Sequence, residues 1–556
     1  MKKLSIGISD FRELREEDRY FVDKSLFIQD IIDEDARVVL LPRPRRFGKT
    51  LNLSMLRYFF EKTGEKDRIR TLFHGLSVEK EPVFEKHLCA YPVIHLSFKD
   101  VKSLQFEDAL KTIKLLISKE FGRLGYLRQS EALTDIQKSR FDDILAMKAE
   151  THVFEASLGD LSQYLYHFHN KKPLILIDEY DTPIHVGHSE GYYKEIIAFF
   201  RSFLGAGLKD NPYIFKGVLT GILRVAKESI FSGINNLAVY TILREEYRER
   251  FGFSENEVSA LMEACGAKDR MEDVRRWYDG YLFGGKTVYN PWSILNFASS
   301  KDKVCRPYWA NTSSNDLIKS LVKGAPHAVR EGIQDILNDV PVESRIEENI
   351  VFEDLPKDEV AVYNFFLFCG YLKAFDPKRV DHEDHRSLLA PNLEVRQIFK
   401  HAVMKWINES YESHKLKEML KAVTTGDAGV FETLLGDFVA ETLSYFDTAG
   451  KNVEKVYQAF ILGLLVNLAA DYEIASEKES GFGRYDISVI PKDPDKTALI
   501  LELKTIRPGE TKDEALESAV SQIEERKYET ALIQRGIQDI RKWGVVFDGK
   551  RVWVRG

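Results

Sequence analysis

The sequence contains few cysteines and no long apolar run. Only four of its 556 residues are cysteine, and these four lie far apart with no CxxC spacing. This pattern indicates neither a disulfide framework nor a zinc site. No apolar run approaches the roughly 18 residues that a membrane span requires, and the N-terminus has no apolar signal-peptide core. We therefore expect a cytoplasmic protein with no membrane segment.

The chain also lacks an excess of positive charge and has no internal repeat. Asp and Glu total 87 against 79 Lys and Arg, which gives a formal net charge of −8 at pH 7. A chain of this charge is not attracted to nucleic acid as a whole, so any DNA contact requires a local basic patch. The absence of a fixed-period repeat or a low-complexity segment excludes a solenoid.

What the sequence does contain is the pattern of a multidomain globular protein, because its length is about twice that of a single-core domain. Residues 1–240 alternate apolar runs with amphipathic stretches, which predicts an α/β fold with a largely parallel sheet. Residues 241–425 are mostly helical in pattern, with a charged and exposed connection at 376–386, and residues 426–556 form a second α/β domain. The expected strands of the first domain are 38–41, 93–96, 174–177 and 214–219.

A phosphate-binding loop is indicated after the first expected strand. Residues 42–50 are PRPRRFGKT, followed by a helical run, and strand, loop, GKT and helix form the context of a Walker A motif. Gly48 lets the backbone approach a phosphate, Lys49 reaches the β- and γ-phosphates, and Thr50 ligates Mg²⁺. Arg46 and Phe47 belong to the same expected cofactor site. The first glycine of the consensus is an arginine here, so an exposed basic loop is the alternative.

Acidic residues follow the third expected strand, as a Walker B element requires. Asp178 is placed to hold the Mg²⁺ shell, and Glu179 to orient or deprotonate the attacking water. The alternative is a strand whose terminal acids simply meet solvent. Together, the loop and the acids predict a site for ATP and Mg²⁺, with hydrolysis as a further expectation.

Residues elsewhere in the first domain complete the expected nucleotide site. Thr220 ends the fourth expected strand and is placed to sense the γ-phosphate, while Arg224 is placed to supply positive charge to it. A strand-end cap and a surface arginine are the alternatives. Phe11, Tyr20 and Phe21 are candidates for lining an adenine pocket.

A second constellation lies near the C-terminus, where two expected strands, 483–490 and 498–504, flank a turn. Glu502 and Lys504 are two residues apart and share one face of their strand. Asp486 and Glu502 are equidistant from the turn, so a regular hairpin places them opposite each other. Two acids that hold Mg²⁺ and a lysine that positions or activates water suit phosphodiester cleavage. Gln522, on the following helix, reaches the same end. The alternative is a surface salt-bridge cluster.

With these motifs the chain resembles the bacterial and archaeal family that joins an AAA-like ATPase domain to a C-terminal PD-(D/E)xK nuclease-like domain. The resemblance implies a P-loop ATPase core, a helical or winged-helix-like middle region and a restriction-endonuclease-like terminal domain. In this family the arginine-rich loop is usual, whereas a Tyr-His pair of the nuclease half is Tyr457-Gln458 here. The colinear motifs are YFVDK at 20–24, PRRFGKT at 44–50, IDEYD at 177–181, SIFSGINN at 229–236, WYDGY at 277–281, YNPWS at 289–293, YW at 308–309, GRYD at 483–486 and ELK at 502–504.

Two hypotheses follow for the function. The first is an ATP-dependent or ATP-regulated DNA nuclease, in which the nucleotide state controls access to the site of Asp486, Glu502 and Lys504. The second is a nucleotide-driven switch or scaffold whose nuclease-like domain binds DNA or a partner without cutting. DNA is the expected partner in both, and homo-oligomerisation is left open.

Overall fold

The computed structural model forms two compact units, one of residues 1–313 and 335–398 and one of residues 314–334 and 399–556. The residues that the structure describes are 2–224, 230–231, 234–309, 321, 327–337, 339–349, 352, 355, 358–380, 383–410, 413–442, 461, 465, 468, 471–476, 479–480, 483–484, 486–507, 509–526, 528–549 and 551–556. Among them, no helix is both long enough and apolar enough to cross a membrane.

The first unit is built on a five-stranded parallel sheet in the order β2-β3-β4-β1-β5. Strands β1, β3 and β4 are buried along their whole length, which explains their continuous apolar runs. The four expected strands are confirmed, although β4 begins two residues later than predicted, and β5 was not anticipated. The strands are β1 Val38–Pro42, β2 Val93–Ser97, β3 Leu174–Asp178, β4 Lys216–Gly221 and β5 Leu237–Val239.

Helices connect these strands and cover the sheet. Helix α8, for example, ends where Asn170 adopts the left-handed conformation at φ 48°. The helices of this region are α1 Phe11–Glu16, α2 Phe27–Asp33, α3 Lys49–Phe60, α4 Lys66–Leu72, α5 Val83–His87, α6 Phe106–Arg123, α7 Asp135–Leu145, α8 Thr151–His169, α9 Thr182–Glu190 and α10 Tyr193–Leu208. Short 3₁₀ turns are found at Ser77–Lys80 and Gly125–Gln129.

The middle of the chain is mainly helical, as predicted, with two small sheets. Ser254 and Glu257 form a capping box at the start of α11, and Asn290 caps α13. The elements are α11 Glu255–Ala264, a 3₁₀ turn Lys268–Arg270, α12 Met271–Tyr278, β6 Tyr281–Phe283, β7 Lys286–Val288, α13 Pro291–Ser299, α14 His327–Leu337, β8 Val342–Arg345, α15 Glu359–Phe368, β9 Lys373–Val380, β10 Glu383–Leu389 and α16 Leu393–Ser410.

The segment 376–386 was expected to be an exposed connection; Asp376 and Glu383 are exposed, but the prediction of a connection is wrong. Strands β9 and β10 run through it and pair with each other, and β10 also pairs with β8. Charged side chains hid this hairpin, because the alternation of apolar and polar residues that marks a half-buried strand is weak there.

The second unit contains a five-stranded mixed sheet in the order β11-β14-β15-β16-β17, in which only β15 and β16 are parallel. Thr511 and Glu514 form the capping box that starts α19. The elements are α17 Ser413–Thr425, α18 Ala428–Thr442, β11 Tyr472–Ser476, β12 Glu479–Ser480, β13 Gly483–Arg484, β14 Ile487–Pro491, β15 Ala498–Thr505, α19 Lys512–Glu525, α20 Thr530–Gln534, β16 Ile540–Asp548 and β17 Arg551–Arg555.

Helices cover both faces of this second sheet. Side chains of α17 and α18 share one apolar core with β14, β15 and β16, including Phe431, Leu501 and Trp543. Helix α19 packs closely on β16, because a Cβ at Gly544 would lie 2.9 Å from the Cβ of Ala519. The expected strand 483–490 is divided into β13 and β14, and Tyr457, Gln458 and Tyr485 lie outside the described residues.

Candidate functional site

The loop of residues 43–48 connects β1 to α3, and Gly48 adopts the left-handed conformation at its end. Gly48 has φ 88° and directly precedes the first helical residue, Lys49, so a residue with a Cβ would be strained there. The Lys49 ammonium donates to the carbonyl oxygens of Arg43 and Pro44, both at 2.9 Å. Burial lowers the pKa of Lys49. The loop therefore folds around its own lysine, at the N-terminus of a helix.

Arg43, which replaces the first glycine of the consensus, is part of the core. Its guanidinium lies 5.1 Å from the centre of the Phe251 ring and 5.5 Å from that of Phe283. Nη1 donates to the carbonyl oxygens of Pro42 at 2.8 Å and Tyr240 at 2.6 Å. Burial lowers the pKa of Arg43 to about 9. Arg43 is therefore buried, and the alternative of an exposed basic loop is wrong at this position.

Two more loop residues contact the middle region. The Phe47 ring is buried and lies 5.0 Å, centre to centre, from the rings of both Tyr281 and Phe283. The Arg46 guanidinium lies 4.2 Å from the centre of the Trp292 ring, in the first turn of α13. The expected cofactor residues Arg46 and Phe47 therefore border a cavity next to the loop, but their side chains contact residues 281–292.

Hydrogen bonds to the carboxylate of Asp178, at the end of β3, connect this strand to its neighbours β2 and β4. Its Oδ2 accepts a hydrogen bond from Thr50 Oγ1 at 2.8 Å, and its Oδ1 accepts one from Thr220 Oγ1 at 2.7 Å. Ser97, at the end of β2, donates to the same carboxylate at 3.4 Å. Burial raises the pKa of Asp178. The contact of Ser97 with Asp178 was not predicted. It could have been, because the parallel strands β2 and β3 end at the same edge of the sheet.

The acids after β3 have different surroundings. Glu179 has φ 50°, borders the cavity beside the loop and accepts a hydrogen bond from Thr182 Oγ1 at 3.0 Å. Asp181 is buried, and its Oδ2 accepts the amides of Ile222 at 2.7 Å and Leu223 at 2.9 Å. It thereby fixes the chain just after β4, a role that no sequence pattern predicted.

The cavity beside the loop has a volume of about 360 Å³, within the usual range of small-molecule sites. Basic side chains at its border include Lys24, Lys49 and Arg250, and Tyr20 and Phe21 lie on its wall. Four of the expected residues do not border it: Asp178 and Thr220, both fully buried, together with Phe11 and Arg224. Phe11 is fully buried against Phe21 and Phe73, and half-buried Arg224 lies outside the lining.

The second set of predicted residues converges in the C-terminal sheet. Ile487 of β14 pairs with Leu501 of β15, and the next position in this register places Asp486 opposite Glu502. Asp486 Oδ2 accepts the backbone amide of Leu503 at 2.8 Å. The carboxylates therefore lie at one point of the sheet, as the equal distances from the turn predicted.

Lys504 and Gln522 contact the same carboxylate. The Lys504 ammonium donates to Glu502 Oε1 at 3.3 Å, and Gln522 Nε2, from α19, donates to the same oxygen. Lys504 remains partly open, with 21% of its side chain exposed, whereas only 1% of the Glu502 side chain is exposed. The surface salt-bridge cluster considered as an alternative does not describe a carboxylate this deeply buried.

Glu502 is buried, and one of its two carboxylate oxygens has no partner among the described residues. Burial, with the nearby charge of Asp486, raises the pKa of Glu502 to about 7. In the part of the chain that the structure describes, Glu502 Oε2 is buried with no hydrogen-bond partner. Two carboxylates with an unused buried oxygen fit a hard divalent cation. The described residues contain no group of three or more His, Cys, Asp or Glu side chains that could hold a metal ion.

Each of the two sets of predicted site residues lies within a match to a known family model. Residues 5–231 match the family model described as Predicted AAA-ATPase, and residues 452–555 match the model of the PD-(D/E)XK nuclease superfamily. The chain joins an AAA-ATPase-like domain to a PD-(D/E)XK nuclease-like domain. The AAA-ATPase-like match contains the 43–48 loop, Asp178 and Thr220, and the nuclease-like match contains Asp486, Glu502, Lys504 and Gln522.

One relative resembles more of the chain than either domain match covers. It is the "Uncharacterized protein in vnfD 5'region" of Azotobacter chroococcum mcd 1, which is 26% identical over 408 residues. The aligned part makes up 72% of this chain and 70% of the relative. The likeness therefore extends beyond the AAA-ATPase-like domain alone.

Proposed function

We propose that this protein binds and hydrolyses ATP in its AAA-ATPase-like domain and cuts DNA with its nuclease-like domain, and that the nucleotide state controls the cutting. The observation that carries the proposal is the convergence of Asp486, Lys504 and Gln522 on Glu502. We assign residues 1–240 to the ATPase domain, 241–425 to the middle region and 426–556 to the nuclease domain.

The nucleotide half of the proposal rests on the surroundings of Asp178. Thr50 and Asp178, which share a hydrogen bond, would hold the Mg²⁺ that accompanies ATP. Lys49 would exchange its two carbonyl acceptors for the β- and γ-phosphates. Glu179 would orient the attacking water, and Thr220, bonded to Asp178, would respond to the γ-phosphate. Arg224 keeps its proposed role only if the end of β4 moves when the nucleotide binds.

The nuclease half rests on the pair Asp486 and Glu502, which would hold Mg²⁺. When bound, Mg²⁺ polarises a phosphodiester toward attack by water. Gln522 and Lys504 both donate hydrogen bonds to Glu502 Oε1. The other oxygen of this carboxylate, Oε2, accepts none from the described residues and would be the one that binds Mg²⁺. Lys504 contacts Glu502 directly, and its ammonium group would orient the attacking water.

Control by the nucleotide is supported by the contacts of the 43–48 loop. Arg43, Arg46 and Phe47 each touch the middle region, at Phe251, Trp292 and Tyr281 respectively. A loop that changes shape around a nucleotide therefore acts directly on residues 251–292. Nucleotide binding and release thus have a physical route to the middle region.

The first experiment is cleavage of supercoiled plasmid by the full chain with Mg²⁺, with and without ATP. We expect nicking that is lost in Asp486→Ala and altered in its ATP dependence by Lys49→Ala. Asp495→Ala is the matched control, because Asp495 is an exposed acid in the turn of the same hairpin. Undiminished cutting by Asp486→Ala would contradict the site assignment.

A second experiment separates the nuclease from a switch that does not cut. Calorimetric titration of the nucleotide-free full chain with Mg²⁺ should show binding that Glu502→Ala removes and Lys49→Ala leaves. ATP binding that depends on Lys49, without any Mg²⁺ binding at Glu502, would instead support a nucleotide-driven switch or scaffold. The missing histidine at position 458 motivates this alternative.

A further inference from the structure

Arg526 lies at the edge of the carboxylate site, although no motif pointed to it. It is the C-cap residue of α19, and its amide donates to the carbonyl oxygen of Gln522 at 3.2 Å. Its Nη1 donates to the hydroxyl oxygen of Tyr528 at 3.2 Å. Tyr528 is fully buried, and Gln522 Nε2 lies 3.5 Å from the same hydroxyl. A buried tyrosine thus holds the guanidinium next to the glutamine that contacts Glu502.

The rest of this guanidinium is available to a ligand. Arg526 is exposed, and within the described residues no carboxylate lies within ion-pair distance of it. Three arginines of the domain differ in this respect, since Arg535, Arg541 and Arg555 each pair with an acid at 2.8 to 3.1 Å. Arg526 still lies close enough for the charge of Glu502 to act on it.

We infer that Arg526 binds a non-bridging phosphate oxygen of the DNA backbone beside the bond to be cut, and that Tyr528 is its positioning residue. The inference rests on the proposed function. Asp486 and Glu502 repel an approaching phosphate, and the nearest cation, Lys504, is already bonded to Glu502. A guanidinium keeps its charge and offers planar paired donors that match phosphate oxygens.

The test is binding of a short fluorescent DNA duplex to the full chain, with Ca²⁺ in place of Mg²⁺, over a series of salt concentrations. Removal of one phosphate contact should lower the slope of log affinity against log salt by about 0.9. We expect Arg526→Ala to show this decrease and roughly tenfold weaker binding. Arg526→Lys should keep the slope but bind more weakly than the wild type.

A matched control and a double mutant distinguish this role from a structural one. Arg535→Ala removes the same charge from an arginine that pairs with Glu473, and we expect it to leave the slope unchanged. Tyr528→Phe should weaken binding, but should add nothing in the background of Arg526→Ala. Fully additive losses would show that Tyr528 does not act through Arg526.

The outcomes also separate this inference from the proposed function. If the wild-type chain binds the duplex and cuts DNA with Mg²⁺ while Arg526→Ala keeps the wild-type slope and affinity, the role of Arg526 is refuted alone. If the wild-type chain binds no DNA, both the proposed function and this assignment fall. A decrease in slope in Arg526→Ala, with none in Arg535→Ala, supports the assignment.

Discussion

The guanidinium of Arg46 lies 4.2 Å from the centre of the Trp292 ring, and both residues border the cavity that contains Lys49. Arg46 has φ 69°, so the loop holds its backbone in the left-handed region, which residues other than glycine adopt rarely. A phosphate bound next to Lys49 would compete with the indole for the same cation. We therefore expect this contact to respond to a nucleotide bound in the cavity.

We expect ATP with Mg²⁺ to change the tryptophan fluorescence of the protein through this contact. Trp292→Phe should remove most of the change while altering nucleotide affinity by no more than a few-fold, because an exposed cation–π pair is worth only about 0.5–1 kcal/mol. Lys49→Ala should abolish both the signal and the binding. Parallel fluorescence and calorimetric titrations check this, and an undiminished signal in Trp292→Phe would contradict it.

Arg43 should matter for stability and not for the nucleotide. Arg43→Gly restores the consensus residue but removes the packing on Phe251 and Phe283 and two hydrogen bonds. We expect a loss of about 3 kcal/mol or more in the free energy of unfolding. Thermal unfolding and a nucleotide titration at low temperature measure the two effects separately.

Arg43→Met is the control for that experiment. Nε and Nη2 of Arg43 have no partner among the described residues, so an apolar side chain of similar length gives up few hydrogen bonds. It should therefore cost less than Arg43→Gly. A large loss of nucleotide affinity in Arg43→Met would show that this arginine serves the ligand.

Glu394 should make the protein less stable as the pH rises. This buried carboxylate accepts the Trp309 amide at 2.8 Å and the Ser293 hydroxyl at 2.7 Å, yet burial raises its pKa to about 7 from 4.5. Between these two values the folded state holds a proton that the unfolded state has lost. The contribution is fully present below about pH 4.5 and is lost as the pH rises through 7, a change of about 3 kcal/mol at most.

Chemical denaturation at about pH 5 and about pH 8 measures this dependence. Glu394→Gln cannot titrate, so its stability should change less between the two conditions than that of the wild type. The same pH dependence in both proteins would assign the effect to other groups.

The packing of α19 should control the carboxylate site. A methyl group at Gly544 would lie 2.9 Å from the Cβ of Ala519 and 3.2 Å from the carbonyl oxygen of Leu516. Gly544→Ala therefore displaces α19, which carries Gln522, and we expect a loss of about 1–3 kcal/mol together with weaker Mg²⁺ binding. Thermal unfolding and calorimetry of the full chain test both effects.

Gly436→Ala is the matched substitution in α18. Nothing lies within 4 Å of a Cβ at this helical position, so alanine should stabilise the helix by up to about 1 kcal/mol. If Gly544→Ala and Gly436→Ala changed the stability alike, close packing at Gly544 would not be the cause of the loss.

Local patterns predicted the parts of the sites that lie on regular strands. The acids after β3 and the spacing of Asp486 and Glu502 about their turn follow from strand geometry, in which position along the chain fixes position in space. The same patterns failed where the decisive contact is distant in sequence. Phe11 was expected at the adenine pocket but packs on Phe73, and the charged segment at 376–386 forms paired strands.

The sequence by itself determined the two α/β patterns, the strand, loop and helix around GKT and the carboxylate pair, because periodicity and spacing act over a few residues. Only the tertiary structure decided that Arg43 is a core residue, that Arg46 contacts Trp292 and that Arg526 is held at Tyr528 beside Glu502. The physical reason is that a cation binds whatever π-face, carbonyl or hydroxyl the fold brings within reach. For Arg43 and Arg46 those partners lie some 200 residues or more away along the chain.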